Sequence, residues 1–168
     1  WSFDASSQDT RNTPADAYRF ARGAPMGIQP YDENDRATRT ILLDRPLDFT
    51  AVTDHAEFLG EVHMCTTPGE PGYWHPVCLI QRHIPRYTFW TFGAAGLSYK
   101  HRWGLCGDNN AICTEKAADM WRQIQQAAED AYDRSSDCSF TSFVGYEWTA
   151  GGETGENLHH NVIFRNQQ

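Results

Sequence analysis

The sequence predicts one α/β domain, and three observations carry that reading. Leu47 to Thr53 is a nearly continuous apolar run, broken only by Asp48 and Thr50; such runs suit a strand of a parallel sheet covered on both faces. From Thr114 onward, Ala117, Met120, Trp121, Ile124, Ala128, Ala131 and Tyr132 recur three and four residues apart, which makes one apolar face of a long helix. Phe140–Thr149 and His160–Arg165 read as two further strands. The Gly-rich link between them, 150–157, is too short for a crossover helix, so they fold back on each other.

The elements follow in chain order. Thr13-Pro14-Ala15-Asp16 starts a helix: Thr13 is the N-cap, Pro14 suits the first turn, and Asp16 sits near the positive end of the helix dipole. Gly23 stops it. The next stretch, up to Arg45-Pro46, is polar and reads as loop. Residues 63–113 crowd Gly, Pro and aromatic residues (Tyr73, Trp74, Trp90, Trp103 among them) and read as a long insertion of short helical or extended pieces. The helix from Thr114 carries Glu115 in its first turn and Arg134 at its end, both favourable to the dipole.

Composition bounds what the domain does. Its 168 residues, 40 % hydrophobic, suffice for a real core. Lys and Arg number 14 against 22 Asp and Glu, a net charge of −8 with no basic run, which argues against nucleic acid or an anionic membrane as partner. No apolar stretch reaches the roughly 20 residues of a membrane helix, and the opening WSFDASSQDT has no signal-peptide pattern. Five cysteines are many for a cytosolic domain, and none forms a CxxC pair. Cys65 and Cys78 bracket one turn-rich loop and Cys106 and Cys113 another. Local disulfides in an oxidising compartment, periplasmic or extracellular, fit that spacing, with Cys138 left over; five free thiols are the alternative.

Chemistry-bearing residues gather at strand ends. Asp54-His55 closes the first strand, Glu147 lies near the end of the second, and His159 opens the third. Carboxyl ends of strands in an α/β sheet form the crevice where ligands bind, so these residues can converge. Imidazoles and carboxylates suit divalent zinc, manganese or iron. Ions held there would polarise a phosphoryl oxygen and supply hydroxide near neutral pH. Asp54 would orient the neighbouring imidazole. Each position also has an ordinary reading: Asp54 as N-cap of the AEFLG segment, His55 as a rim histidine, Glu147 as the solvent-facing member of an alternating strand, His159-His160 as a surface pair. His63, His75, His83 and His101 read as loop residues.

FTAVTDHAEFLG, FTSFVGYEWT and NLHHNVIF, with RNTPADAYRFARG near the start, resemble the polymerase-and-histidinol-phosphatase (PHP) superfamily, in its uncharacterised branch of large, often secreted bacterial proteins known only as a domain of unknown function. The resemblance covers nearly the whole chain. It implies a distorted (β/α)7 TIM-like barrel binding up to three metal ions at its strand ends and hydrolysing phosphoesters. By position, His55 looks like the ligand of the Thr-Asp-His motif, Glu147 like the bridging carboxylate and His159 like the next imidazole ligand. Asp4 stands just after the place of the family's opening His-x-His. That pair, a later histidine and the closing Asp-x-His have no counterpart here, so the chain looks like an internal part of the barrel, to be completed by further segments of the same protein or by partner chains. The implied activity is metal-dependent hydrolysis of a small-molecule phosphoester or related ester, with substrate entering beneath the 63–113 insertion. The rival is a non-catalytic structural or binding domain that keeps the fold and packs against partners.

Overall fold

Thr13 and Asp16 set the first register. In the computed structural model, which describes residues 1–98, 103–151 and 156–165, the Thr13 hydroxyl accepts the Asp16 N–H at 3.2 Å and the Asp16 carboxylate accepts the Thr13 N–H at 2.8 Å. This reciprocal cap opens helix α2, Pro14–Ala21, which follows the short α1, Phe3–Ser7. Gly23, at φ +92°, closes it in the left-handed region that glycine adopts at no steric cost. Thr13→Ala should cost about 1 kcal/mol, read as a lower urea midpoint at unchanged slope; an unchanged midpoint would mean the cap contributes nothing.

The stretch expected as loop contains a hairpin, β1 (Met26–Tyr31) paired antiparallel with β2 (Ala37–Ile41). Its sequence hides it: Gly27 and Pro30 are poor strand residues, and Thr38, Arg39 and Thr40 are exposed, so no apolar alternation survives.

The main sheet has three strands in the order β3 (Phe49–Val52), β4 (Thr141–Gly151), β5 (Asn157–Ile163). β3 and β4 are parallel; β4 and β5 are antiparallel, as the short link requires. Among the described residues β3 has one neighbour, and its first residue, Phe49, is 66 % exposed, so the apolar run is not covered on both faces there. The helix expected from Thr114 starts earlier, as α6 (Ala111–Ala131), because Asn109 and Asn110 take the left-handed conformation and turn the chain into it. Met120, Ile124, Ala128 and Ala131 are buried along its apolar face. Tyr18 of α2 ties the layers together: its hydroxyl donates to the Phe143 carbonyl at 2.8 Å and accepts the Val52 N–H at 3.2 Å, bridging β3 and β4.

The described part of the insertion consists of short helical pieces joined by turns. It runs through α3 (Leu59–Thr66), α4 (Pro76–His83), the single turn α5 (Arg86–Thr88), a π-helical stretch Phe89–Ser98 and a 3₁₀ turn Asp108–Asn110. Cys65–Cys78 and Cys106–Cys113 are disulfide-bonded, and Cys138 is free and exposed. Both disulfides lie in one core with Phe58, Val62, Met64 and Phe92, and both are compatible with an oxidising environment. Gly60 lets α3 and α6 touch, since a Cβ there would sit 2.1 Å from the Cys113 carbonyl oxygen. The described elements form small sheets within a mixed α/β arrangement. No described helix is long and apolar enough to cross a membrane.

Candidate metal centre

Strand register builds the site. The β3–β4 pairing keeps one offset from Phe49↔Thr141 to Val52↔Val144 and resumes it at an isolated bridge, His55↔Glu147. There the Ala56 N–H donates to the Glu147 carbonyl and the Glu147 N–H to the Asp54 carbonyl, both at 2.9 Å. Across β4–β5, Thr149 stands opposite His159. Residues directly paired, or two apart on one strand, share a sheet face. His55, Glu147, Thr149 and His159 therefore rise from the same face.

The geometry follows. Nε2 of His55 lies 3.6 Å from Oε1 of Glu147, and Nδ1 of His159 lies 2.7 Å from the same oxygen. One ligand atom from each of the three residues falls within 4.8 Å of the others. The two imidazole rings meet edge to face, centroids 5.5 Å apart. Burial is graded: the side chain of His55 is 9 % exposed, that of Glu147 24 % and that of His159 53 %. The donor set of two imidazoles and a carboxylate fits a divalent zinc, manganese or iron ion, and its separations resemble those of ligands around one small cation.

Alternation separates the remaining candidates. Asp54 faces the other side, where its carboxyl lines a cavity with Ala5, Ala17 and Val52. Burial pushes its pKa up, opposed in part by a hydrogen bond with Ser2. The carboxylate on His55 is instead Glu57, with Oε2 at 3.1 Å from Nδ1. His160 pairs with Trp148 on the opposite face from His159. Asp4 is exposed on α1, close enough for its charge to raise the His55 pKa. His75 caps α4, its Nδ1 accepting the Val77 N–H at 3.3 Å. His63 lies 3.6 Å from Glu70, and His83 is exposed. His101 lies outside the described residues. A second grouping, Glu61 with Cys106 and Cys113, has both sulfurs committed to a disulfide. The cavity of about 550 Å³ lined by Ala128, Tyr132, Thr141 and Phe143 sits at the far end of β4 and touches none of the triad.

Glu57 and Thr149 are the residues that sequence reasoning missed. Two-residue spacing from His55 was the available signal for Glu57; Thr149 has none short of the strand pairing. The Glu57 hydrogen bond raises the His55 pKa most; burial opposes it, and the charges of Asp4, Glu147 and Glu57 reinforce it. Burial alone would push the Glu57 pKa up, but hydrogen bonds from His55 and from the Thr149 N–H outweigh it and hold the pKa down. Because the His55 pKa is raised, its contribution to metal-free stability is fully present below the ordinary value of 6.5 and lost as pH rises through the folded-state value. Zinc requires the neutral ring, so the dependence should reverse in its presence. Thermal midpoints from about pH 5 to about pH 8, with chelator and with zinc, read this directly when His55→Gln is the reference; parallel curves for the two proteins would contradict it.

The class of molecule is thus an α/β domain that places two imidazoles and a carboxylate on one sheet face, with Glu147 inside β4 and His159 inside β5 rather than at the strand ends expected from sequence. Over residues 1–168 the chain matches the family described as "Protein of unknown function (DUF3604)", and it belongs to that family. No curated protein and no solved structure matches it.

Proposed function

We propose that this domain is the metal-binding part of a PHP-like hydrolase that cleaves a small-molecule phosphoester or related ester. The observation that carries the reading is the convergence of His55, Glu147 and His159, remote in sequence, within 4.8 Å on one sheet face. His55 and His159 would hold the ion through ring nitrogens, and Glu147 through its carboxylate. A divalent cation bound there supplies Lewis acidity toward a phosphoryl oxygen and makes hydroxide accessible near neutral pH. The chain's own groups orient and exclude water: Phe3 packs on the His55 ring at 5.0 Å between centroids and Phe58 packs edge-on against Phe3. The net charge of −8 disfavours a large polyanion and favours a small substrate.

The test is metal content of the purified protein, then hydrolysis of p-nitrophenyl phosphate with zinc, manganese or iron(II). Activity that disappears with chelator and returns with metal is expected. A folded protein that retains no metal and ignores chelator would sink the reading.

One observation favours a non-catalytic binding or structural role instead. Trp74, Trp90, Tyr87 and Phe89 are 76 %, 63 %, 56 % and 50 % exposed on the insertion, and exposed aromatic residues are common anchors of protein interfaces. That role predicts that Trp74→Ala and Trp90→Ala abolish partner capture while metal removal changes nothing.

A further inference from the structure

His55 is the deepest member of the triad, and only one of its two nitrogens can serve as ligand. Which one is decided by what holds the other. Glu57 lies in the turn between the His55 bridge and α3, and the next residue, Phe58, takes φ +63°, a conformation bulky residues avoid. With the chain turned there, the Glu57 carboxylate reaches back over the sheet and uses both oxygens. Oε1 accepts the Thr149 backbone N–H at 2.6 Å, and Oε2 lies 3.1 Å from His55 Nδ1. An ionised carboxylate only accepts, so Nδ1 must be the nitrogen that carries the proton.

Thr149 adds a second tie. Its hydroxyl, on a residue 5 % exposed, lies 3.2 Å from His55 Nδ1 and 3.1 Å from His159 Nδ1. It thus stands between the two rings and is anchored through its own N–H to the carboxylate that holds the first. The free edge of His55, Nε2, faces Glu147.

Resting on the metal reading above, we propose that Glu57 and Thr149 are positioning residues that lock His55 in the Nδ1–H tautomer, leave Nε2 as the metal-ligating nitrogen, and hold both imidazoles in a preformed unit. Neither residue touches the ion. Both act through the rings, in the way that outer carboxylates and hydroxyls orient metal-bound histidines.

The experiment has two readouts. Long-range ¹H–¹⁵N spectra of the imidazoles in chelator-treated protein give the tautomer without any substitution. Competition with a chromogenic chelator gives zinc affinity. Wild-type protein should show His55 with a protonated Nδ1. In Glu57→Gln one amide oxygen must serve two donors, and the amide NH₂ favours the opposite tautomer. Zinc affinity should fall about 10- to 100-fold, with the Nε2–H form of His55 gaining population. Thr149→Val keeps the backbone donor but removes the hydroxyl and should weaken zinc about 10-fold; Thr149→Ser should restore it. Far-UV circular dichroism identifies any variant that fails to fold, and the wild-type tautomer decides the matter in that case. A wild-type Nε2–H tautomer overturns the proposal. So does a wild type that binds zinc no better than folded Glu57→Gln, which leaves the metal reading standing. A wild type with protonated Nδ1 that retains no zinc instead overturns the metal reading, and the positioning role with it.

Discussion

His55→Ala is expected to weaken zinc binding by more than about 100-fold, beyond the effect of losing an outer-sphere partner, and to abolish any chelator-sensitive hydrolysis. Of the three residues of the cluster, His55 is the most deeply buried. Two main-chain hydrogen bonds to Glu147, from the Ala56 N–H and to the Asp54 carbonyl, fix the chain on either side of His55, its Nδ1 is held by Glu57 and its ring packs on Phe3. The adjacent Asp54 cannot take its place, because alternation sends it to the other face. His160→Ala is the matched control: that residue lies beside the site in sequence but on the far side of β5, so zinc affinity should be unchanged. Isothermal titration of the two variants side by side settles it. Equal loss in both would mean that the histidines act only through overall charge or folding.

Gly60→Ala is expected to destabilise the domain by about 3 kcal/mol, the upper part of the range for overpacking a tight contact, and to lower the thermal midpoint by about 6–12 °C for a chain of this size. The added carbon would sit 2.1 Å from the Cys113 carbonyl oxygen and 2.8 Å from its carbonyl carbon. Main-chain atoms cannot rotate away as a side chain would. Nor can the start of α6 retreat freely, since Cys113 is bonded to Cys106. Denaturant unfolding under oxidising conditions measures the loss; a change below about 0.5 kcal/mol, the usual size for a tolerated surface substitution, would show that the two helices separate easily.

The parts of the fold that sequence disclosed were those with strong local chemistry. The capping pair Thr13 and Asp16, the apolar stripe of α6 and the turn-rich loops between Cys65 and Cys78 and between Cys106 and Cys113 each leave a pattern within a few residues. The β1–β2 hairpin left none, because β1 is interrupted by Gly27 and Pro30 and the middle of β2 is exposed. Of the site, His55, Glu147 and His159 were legible as ligand-type residues, and the structure brings those three together, though Glu147 lies inside β4 and His159 inside β5 rather than at strand ends. The roles of Asp54 and Glu57 were not. Adjacency favoured Asp54, but side-chain direction on an extended chain alternates, so the residue two positions on shares the face of His55 and the residue next to it does not. Thr149 was invisible because its relation to His55 spans 94 positions and depends wholly on the β3–β4 offset.

The β4–β5 register likewise governs how the gene can change length without losing the centre. Codons may be gained or lost between Gly151 and Asn157 while every opposed pair from Gly145↔Ile163 to Gly151↔Asn157 stays matched. A single codon gained between Glu147 and Thr149 would exchange inside for outside from that point on, offering His160 and hiding His159. Natural variants of this domain should therefore differ freely in length between Gly151 and Asn157 and hardly at all in the count of residues from Glu147 to Gly151.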